Sequence, residues 1–161
     1  YLLGYLAVRR GDNGTARLCF VRGNERPILY ANPHRVVELL ALEAAVRDDA
    51  RDSKARHLLG NVLYGFGRRD EALWHWREAA RVSPELSLAW RNIGYAERQM
   101  HSDDRAAAQA YRNAFAADET DARVLLELDP KYQQQADTLT KIAFKAPDGN
   151  MIPLESVVKF R

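Results

Sequence analysis

The chain has 161 residues, 47% hydrophobic and 29% charged, with a formal net charge of +2. That is one domain's worth of an ordinary globular protein, long enough to bury a respectable core. The near-balanced charge, with arginines interleaved among Asp and Glu, leaves no stripe for nucleic acid, and no apolar run approaches a membrane span.

Tyr1 to Gly11 reads as a helix carrying Leu2, Leu3, Leu6 and Val8, stopped by Gly11-Asp12-Asn13-Gly14. An opening Tyr is expected of a processed or cut chain, so the lack of a leader carries little weight. Leu3-Gly4, Ala16 and Phe20 follow with an internal spacing that recurs at Leu59-Gly60, Ala72 and Trp76, so residues 1–31 read as a partial, degraded repeat and a loop. Cys19, the single cysteine, excludes an intramolecular disulfide and reads as a buried thiol. Residues 22–33, RGNERPILYANP, form a loop, and Asn32-Pro33 is a helix-start signal with Asn as cap and Pro in the first turn. His34 to Arg47 then carries Val36, Val37, Leu40, Leu42 and Val46, as the second helix of a half-repeat.

The most regular stretch is residues 54–84, KARHLLGNVLYGFGRRDEALWHWREAARVSP, two amphipathic segments divided by Gly65-Phe66-Gly67. Ala72, Trp76 and Ala79 are four and three residues apart, which puts them on one helical face. Small residues at Gly60, Ala72 and Ala79 let two antiparallel helices approach, and Trp76 fills the space beside them. The arrangement recurs. Trp90, Ile93 and Gly94 repeat Arg56, Leu59 and Gly60 after 34 residues, and Ala107, Tyr111 and Ala114 repeat Ala72, Trp76 and Ala79 after 35. One residue is therefore inserted near His101–Asp104. A period of this size signals stacked repeats, with helices predicted over 53–65, 69–82, 87–99 and 104–117.

A third unit starts over 118–128, but Asp129-Pro130 falls where its glycine belongs and ends or kinks the helix. The repeat region is thus expected over 32–130. Residues 131–161 read as a capping helix followed by a short C-terminal β-hairpin, signalled by Pro147-Asp148-Gly149-Asn150 between two apolar runs. The expected fold is mainly α, built from antiparallel helical-hairpin repeats.

These anchors resemble the tetratricopeptide repeat (TPR), whose pattern is an aromatic, Leu-Gly, a turn, then Ala, an aromatic, Ala and a closing Pro. One unit matches at Leu59, Gly60, Ala72, Trp76, Ala79 and Pro84, with Arg56 in place of the leading aromatic. The next matches at Trp90, Gly94, Ala107, Tyr111 and Ala114, with Ile93 for Leu and Glu119 for Pro. More narrowly, WRNIGYAERQM…AYRNAFAADETDARVLLELDP is similar to the C-terminal repeats of large bacterial proteins that carry sugar-enzyme-like β domains upstream.

The resemblance implies an α-solenoid serving as a non-catalytic protein–protein interaction scaffold, which binds a peptide or partner domain in its concave groove without cofactor or metal. The alternative is an accessory repeat domain docking onto the carbohydrate-processing part of a larger bacterial enzyme. The first helix of each pair lines the groove, so the implied ligand-binding positions are Lys54, His57, Asn61 and Tyr64, then Leu88, Arg91, Asn92, Tyr95 and Arg98, then Arg123 and Glu127. A basic, amide-bearing groove with Tyr platforms suits an acidic peptide or a terminal carboxylate. His57, Asn61, Asn92 and Arg123 echo a carboxylate clamp, although His57 stands where Lys is usual and Glu127 where a cation is usual. The plainer role for Asn61 and Asn92 is hydrogen bonding between neighbouring helices.

An enzyme is not expected. His34, His57, His75 and His101 are far apart, none at metal-ligand spacing, and Gly65-Phe66-Gly67 is an interhelix turn rather than a phosphate loop. Trp76 and Trp90 fall on packing anchors, while Trp74 points elsewhere. The expected compartment is the cytoplasm.

Overall fold

The computed structural model describes residues 1–29 and 31–117 in full, and residues 143–145 and 151–153 as backbone. The described part is mainly helical: α1 (Leu2–Arg9), α2 (Asn13–Glu25), α3 (Val36–Asp48), α4 (Ser53–Gly65), α5 (Arg69–Val82), α6 (Ser87–His101) and α7 (Asp104–Ala117). Two compact units divide the chain, Tyr1–Ala122 and Arg123–Arg161.

Local chemistry explains most helix starts in the first unit. Asp12, Asp52 and Asp103 each present Oδ1 to the backbone N–H three residues on, at Thr15, Ala55 and Ala106, with distances of 3.0, 2.8 and 2.9 Å. Each carboxylate thereby satisfies one of the donors that a helix start leaves unpaired. The start of α3 differs from expectation. It lies at Val36, not at Asn32-Pro33, because the Glu38 carboxylate reaches back to accept the N–H groups of His34 and Arg35, both at 2.8 Å. The preceding loop is correspondingly shifted, since α2 continues through Gly23 to Glu25. Further along the chain, α6 runs two residues past the predicted 99, to His101, and Ser102 closes it in the left-handed region at φ 54°. That is where the inserted residue was placed by the change of period.

Helix pairs α1/α2, α4/α5 and α6/α7 pack as neighbours, α5 also packs on α6, and α3 lies against both α1 and α4. One contact recurs in all three pairs: a glycine on the first helix against an aromatic ring on the second. A Cβ at Gly4 would sit 2.4 Å from the Phe20 ring, at Gly60 2.4 Å from Trp76 Nε1, and at Gly94 2.9 Å from Tyr111 Cε1. Glycine is required there by space. The core runs through these contacts, with Ala55, Leu59, Leu63, Ala72, Trp76 and Ile93 among its buried members. Cys19 is only half-buried.

In the second unit, β1 (Ala143–Lys145) and β2 (Met151–Pro153) pair antiparallel, with Phe144 opposite Ile152. The predicted third helical unit, the capping helix and the turn at 147–150 lie outside the described residues.

Candidate functional site

The expected ligand-binding positions fall on α4 and α6, and the hydrogen bonds among them assign their roles. An indole nitrogen can only donate, so the Asn61 atom facing Trp76 Nε1, 3.0 Å away, is its carbonyl Oδ1. The same oxygen accepts from Asn92 Nδ2 at 2.8 Å. This orientation turns Asn61 Nδ2 towards His57 Nε2, 3.3 Å away, to which it donates. Trp76 Nε1 also reaches the His57 carbonyl at 3.2 Å. Asn61 thus ties α4 to α5 and α6 at once, the interhelical role.

His57 is not at the surface. It is 2% exposed, and burial first, then the positive charge of Arg91, pushes its pKa down to about 4. The ring is neutral at pH 7, carries its proton on Nδ1 and accepts at Nε2; Nδ1 has no partner among the described residues. The sequence placed His57 in the groove because it lies one turn before Asn61, but that arc of α4 is covered. A neutral buried imidazole cannot supply the cation of a carboxylate clamp.

The other positions separate into tethered and open groups. Lys54 donates from Nζ to the Arg26 carbonyl at 3.0 Å, which fastens α4 to the segment after α2. Leu88 packs against the core. Tyr64 is half-buried between the Trp76 ring at 5.4 Å and the Tyr95 ring at 5.9 Å, the latter edge-on, and the Arg69 guanidinium lies 5.6 Å from its centroid. Arg91, Tyr95 and Arg98 are exposed, and the nearest acid to Arg98 is Asp104 at 3.8 Å. Arg123 and Glu127 lie outside the described residues.

Comparison of the sequence with protein-family models gave no match, and comparison with curated proteins gave none either. Among the described residues, no group of three or more His, Cys, Asp or Glu could hold a metal ion, and no helix is long and apolar enough to cross a membrane.

Three polar arrangements were not anticipated from sequence. Glu97, 6% exposed, accepts from Arg77 on α5 with one oxygen and faces His101 Nδ1 at 2.8 Å with the other. The hydrogen bonds from these partners hold its carboxyl below the usual range in spite of burial. The four-residue spacing of Glu97 and His101 was the available signal. Tyr1 donates its hydroxyl to the Asp52 carboxylate at 3.0 Å across 51 residues, and no local pattern marks that pair. Arg56, standing where an aromatic was expected, is buried. Its Nε donates to the Ala50 carbonyl at 2.7 Å, and its guanidinium lies 5.3 Å from the ring of Trp74, which is 53% exposed.

Proposed function

We propose that this chain is a tetratricopeptide-type repeat protein and that its helix pairs form a non-catalytic docking module for a peptide or partner domain. The reading rests on one observation: Arg91, Tyr95 and Arg98 stand exposed at positions i, i+4 and i+7 of α6, beside the Tyr64 ring and the Asn92 amide. Residues at that spacing share a face. Two cations, an aromatic platform and an amide suit an extended acidic segment, which an arginine grips through charge-assisted hydrogen bonds. Asn61 and His57 support this face from behind without touching the ligand. A short C-terminal β-hairpin completes the proposed fold.

Isothermal titration with acidic peptides, carrying free or amidated C-termini, tests the reading. Arg91→Ala is expected to weaken binding by about 1.5–3 kcal/mol, the range for a hydrogen bond to a charged group. Its melting curve should not move, because the side chain is exposed. Equal binding of both peptide forms discards terminal-carboxylate recognition. Absence of any binding rejects the peptide groove and favours an accessory domain that docks on a folded partner.

A further inference from the structure

A second polar site, separate from the α4/α6 face, is built around Arg56. The next residue, His57, turns towards Asn61, whereas Arg56 turns towards α5 and lies beside Trp74. A guanidinium keeps its charge throughout the working pH range, and a charged side chain that is well covered is normally paired. Arg56 is 7% exposed, yet it belongs to no ion pair among the described residues. Nε donates to the Ala50 carbonyl at 2.7 Å, which holds the guanidinium in place. Nη1 is covered as well and has no partner among the described residues. His75 on α5 repeats the pattern, with Nδ1 covered and unpartnered among the same residues. Both groups lie against one ring. The Trp74 indole is 5.3 Å from the Arg56 guanidinium carbon and 4.7 Å from the His75 ring centre.

The acids nearest this site have other partners. On α5, Glu71 accepts from Arg68 with both oxygens, each at 2.7 Å. Glu78 likewise accepts from Arg81 with both oxygens, at 2.9 to 3.2 Å. Their charges reach His75, and that of Glu78 reaches Arg56, but neither acid pairs with Arg56. Glu43 of α3 acts on Arg68. In the segment before α4, Asp49 accepts the Arg51 backbone N–H at 2.8 Å, and Asp48 lines the cleft beside Val8 and Phe20. The site thus offers one positive charge without an acid of its own, one imidazole held neutral by burial and by Arg56, and an aromatic wall.

We propose that Arg56 and His75 bind a single carboxylate, with the Trp74 indole as its movable cover. One carboxylate oxygen accepts from Arg56 Nη1 and the other from His75 Nδ1, while Ala50 keeps its hold on Nε. One fixed charge and one neutral donor match a monoanion with two oxygens. A phosphate dianion would leave a charge uncompensated, and a halide has no second atom to divide between the donors. Trp74 is 53% exposed, so its ring can rotate outward without disturbing the core. Until it does, the ring face stands in for a counter-ion through a cation–π contact. A carboxylate makes the stronger, charge-assisted hydrogen bond and displaces it.

The test follows the ¹⁵N signals of the His75 ring and of Arg56 Nε in the whole chain, at neutral pH and constant ionic strength. Sodium acetate is expected to move both signals along one saturable curve, and sodium chloride to move neither. Arg56→Gln should abolish the response at His75. His75→Phe, read at Arg56, should weaken binding about tenfold through the lost donor. Trp74→Ala should strengthen it about two- to fivefold, since the cation–π contact no longer competes. Arg91→Ala should change nothing, which separates this site from the α4/α6 face. Acetate, the α-amide of N-acetylglutamic acid and N-acetylalanine, compared for tightness, distinguish a free small acid, an acidic side chain and a chain end as the source. The proposal is overturned if neither signal saturates below roughly 100 mM acetate, a negligible affinity, or if chloride acts as acetate does. A response at His75 that survives Arg56→Gln also overturns it, and weaker binding after Trp74→Ala removes the role of the cover.

Discussion

The pairs α4/α5 and α6/α7 are built on the same contact, a glycine beneath an aromatic ring, yet the two rings end in different surroundings. Trp76 is 3% exposed and Tyr111 is 40% exposed. The indole N–H of Trp76 is held by Asn61 and by the His57 carbonyl, whereas the Tyr111 hydroxyl has no partner among the described residues. Local spacing puts an aromatic residue at the same place in both pairs. What the ring contributes depends on how completely its neighbours enclose it and whether its polar atom is satisfied.

Truncating the two rings gives the largest contrast. Trp76→Ala is expected to cost about 3–5 kcal/mol in urea unfolding, as for a buried large-to-small change. Tyr111→Ala should cost about 1–2 kcal/mol, in keeping with the smaller area it keeps from water. Equal losses would mean that burial does not distinguish the pairs.

Acidification probes the α4/α5 side next. The folded pKa of His57, about 4, lies below its ordinary value of 6.5, so the unfolded chain binds more protons between those pH values. Its contribution is whole above the ordinary pKa and is lost as pH falls towards 4, by about 3 kcal/mol. His75, half-buried and also pushed down to about 4 by burial, acts with the same sign and more weakly because water screens it. Denaturant titrations at about pH 7 and about pH 4.5 should show the loss. His57→Gln should flatten part of the difference; an unchanged slope would show that His57 is not held neutral.

Adding one methyl group sharpens the comparison at the glycines. The Cβ of Gly60→Ala would lie 2.4 Å from an enclosed indole, so a loss of about 1–3 kcal/mol is expected from overpacking. At Gly94→Ala the approach is 2.9 Å to a ring open to solvent, which can swing aside. The gain in helix propensity, about 1 kcal/mol, then offsets most of the cost. Thermal melts in which Gly94→Ala is the more damaging would reverse this account. The smallest contrast lies in the amide pair. Asn61→Ala is expected to cost about 1–2 kcal/mol and Asn92→Ala about 0.5–1 kcal/mol, since Asn61 has three partners and Asn92 one. Trp76 keeps the His57 carbonyl in either variant, and a double mutant no worse than Asn61→Ala would show that the two act as one unit.

Residue order alone determined the helical hairpins. The predicted 53–65, 69–82 and 104–117 coincide with α4, α5 and α7 because spacings of three and four residues, Asp caps and glycine turns act over a single turn of helix. The close approaches at Gly60 and Gly94 were legible for the same reason: a missing side chain opposite an aromatic is a short-range demand for space. What the site residues do was decided only in three dimensions. His57 and Arg91 both fall on predicted groove positions, yet one is buried and neutral and the other exposed. Trp76, read as a packing anchor, also fixes which way the Asn61 amide points. Tyr1 and Asp52, and Arg77 and Glu97, meet across separations that no local pattern encodes. Burial and hydrogen-bond partnership are properties of the neighbours a fold brings together, so they were settled when the helices packed.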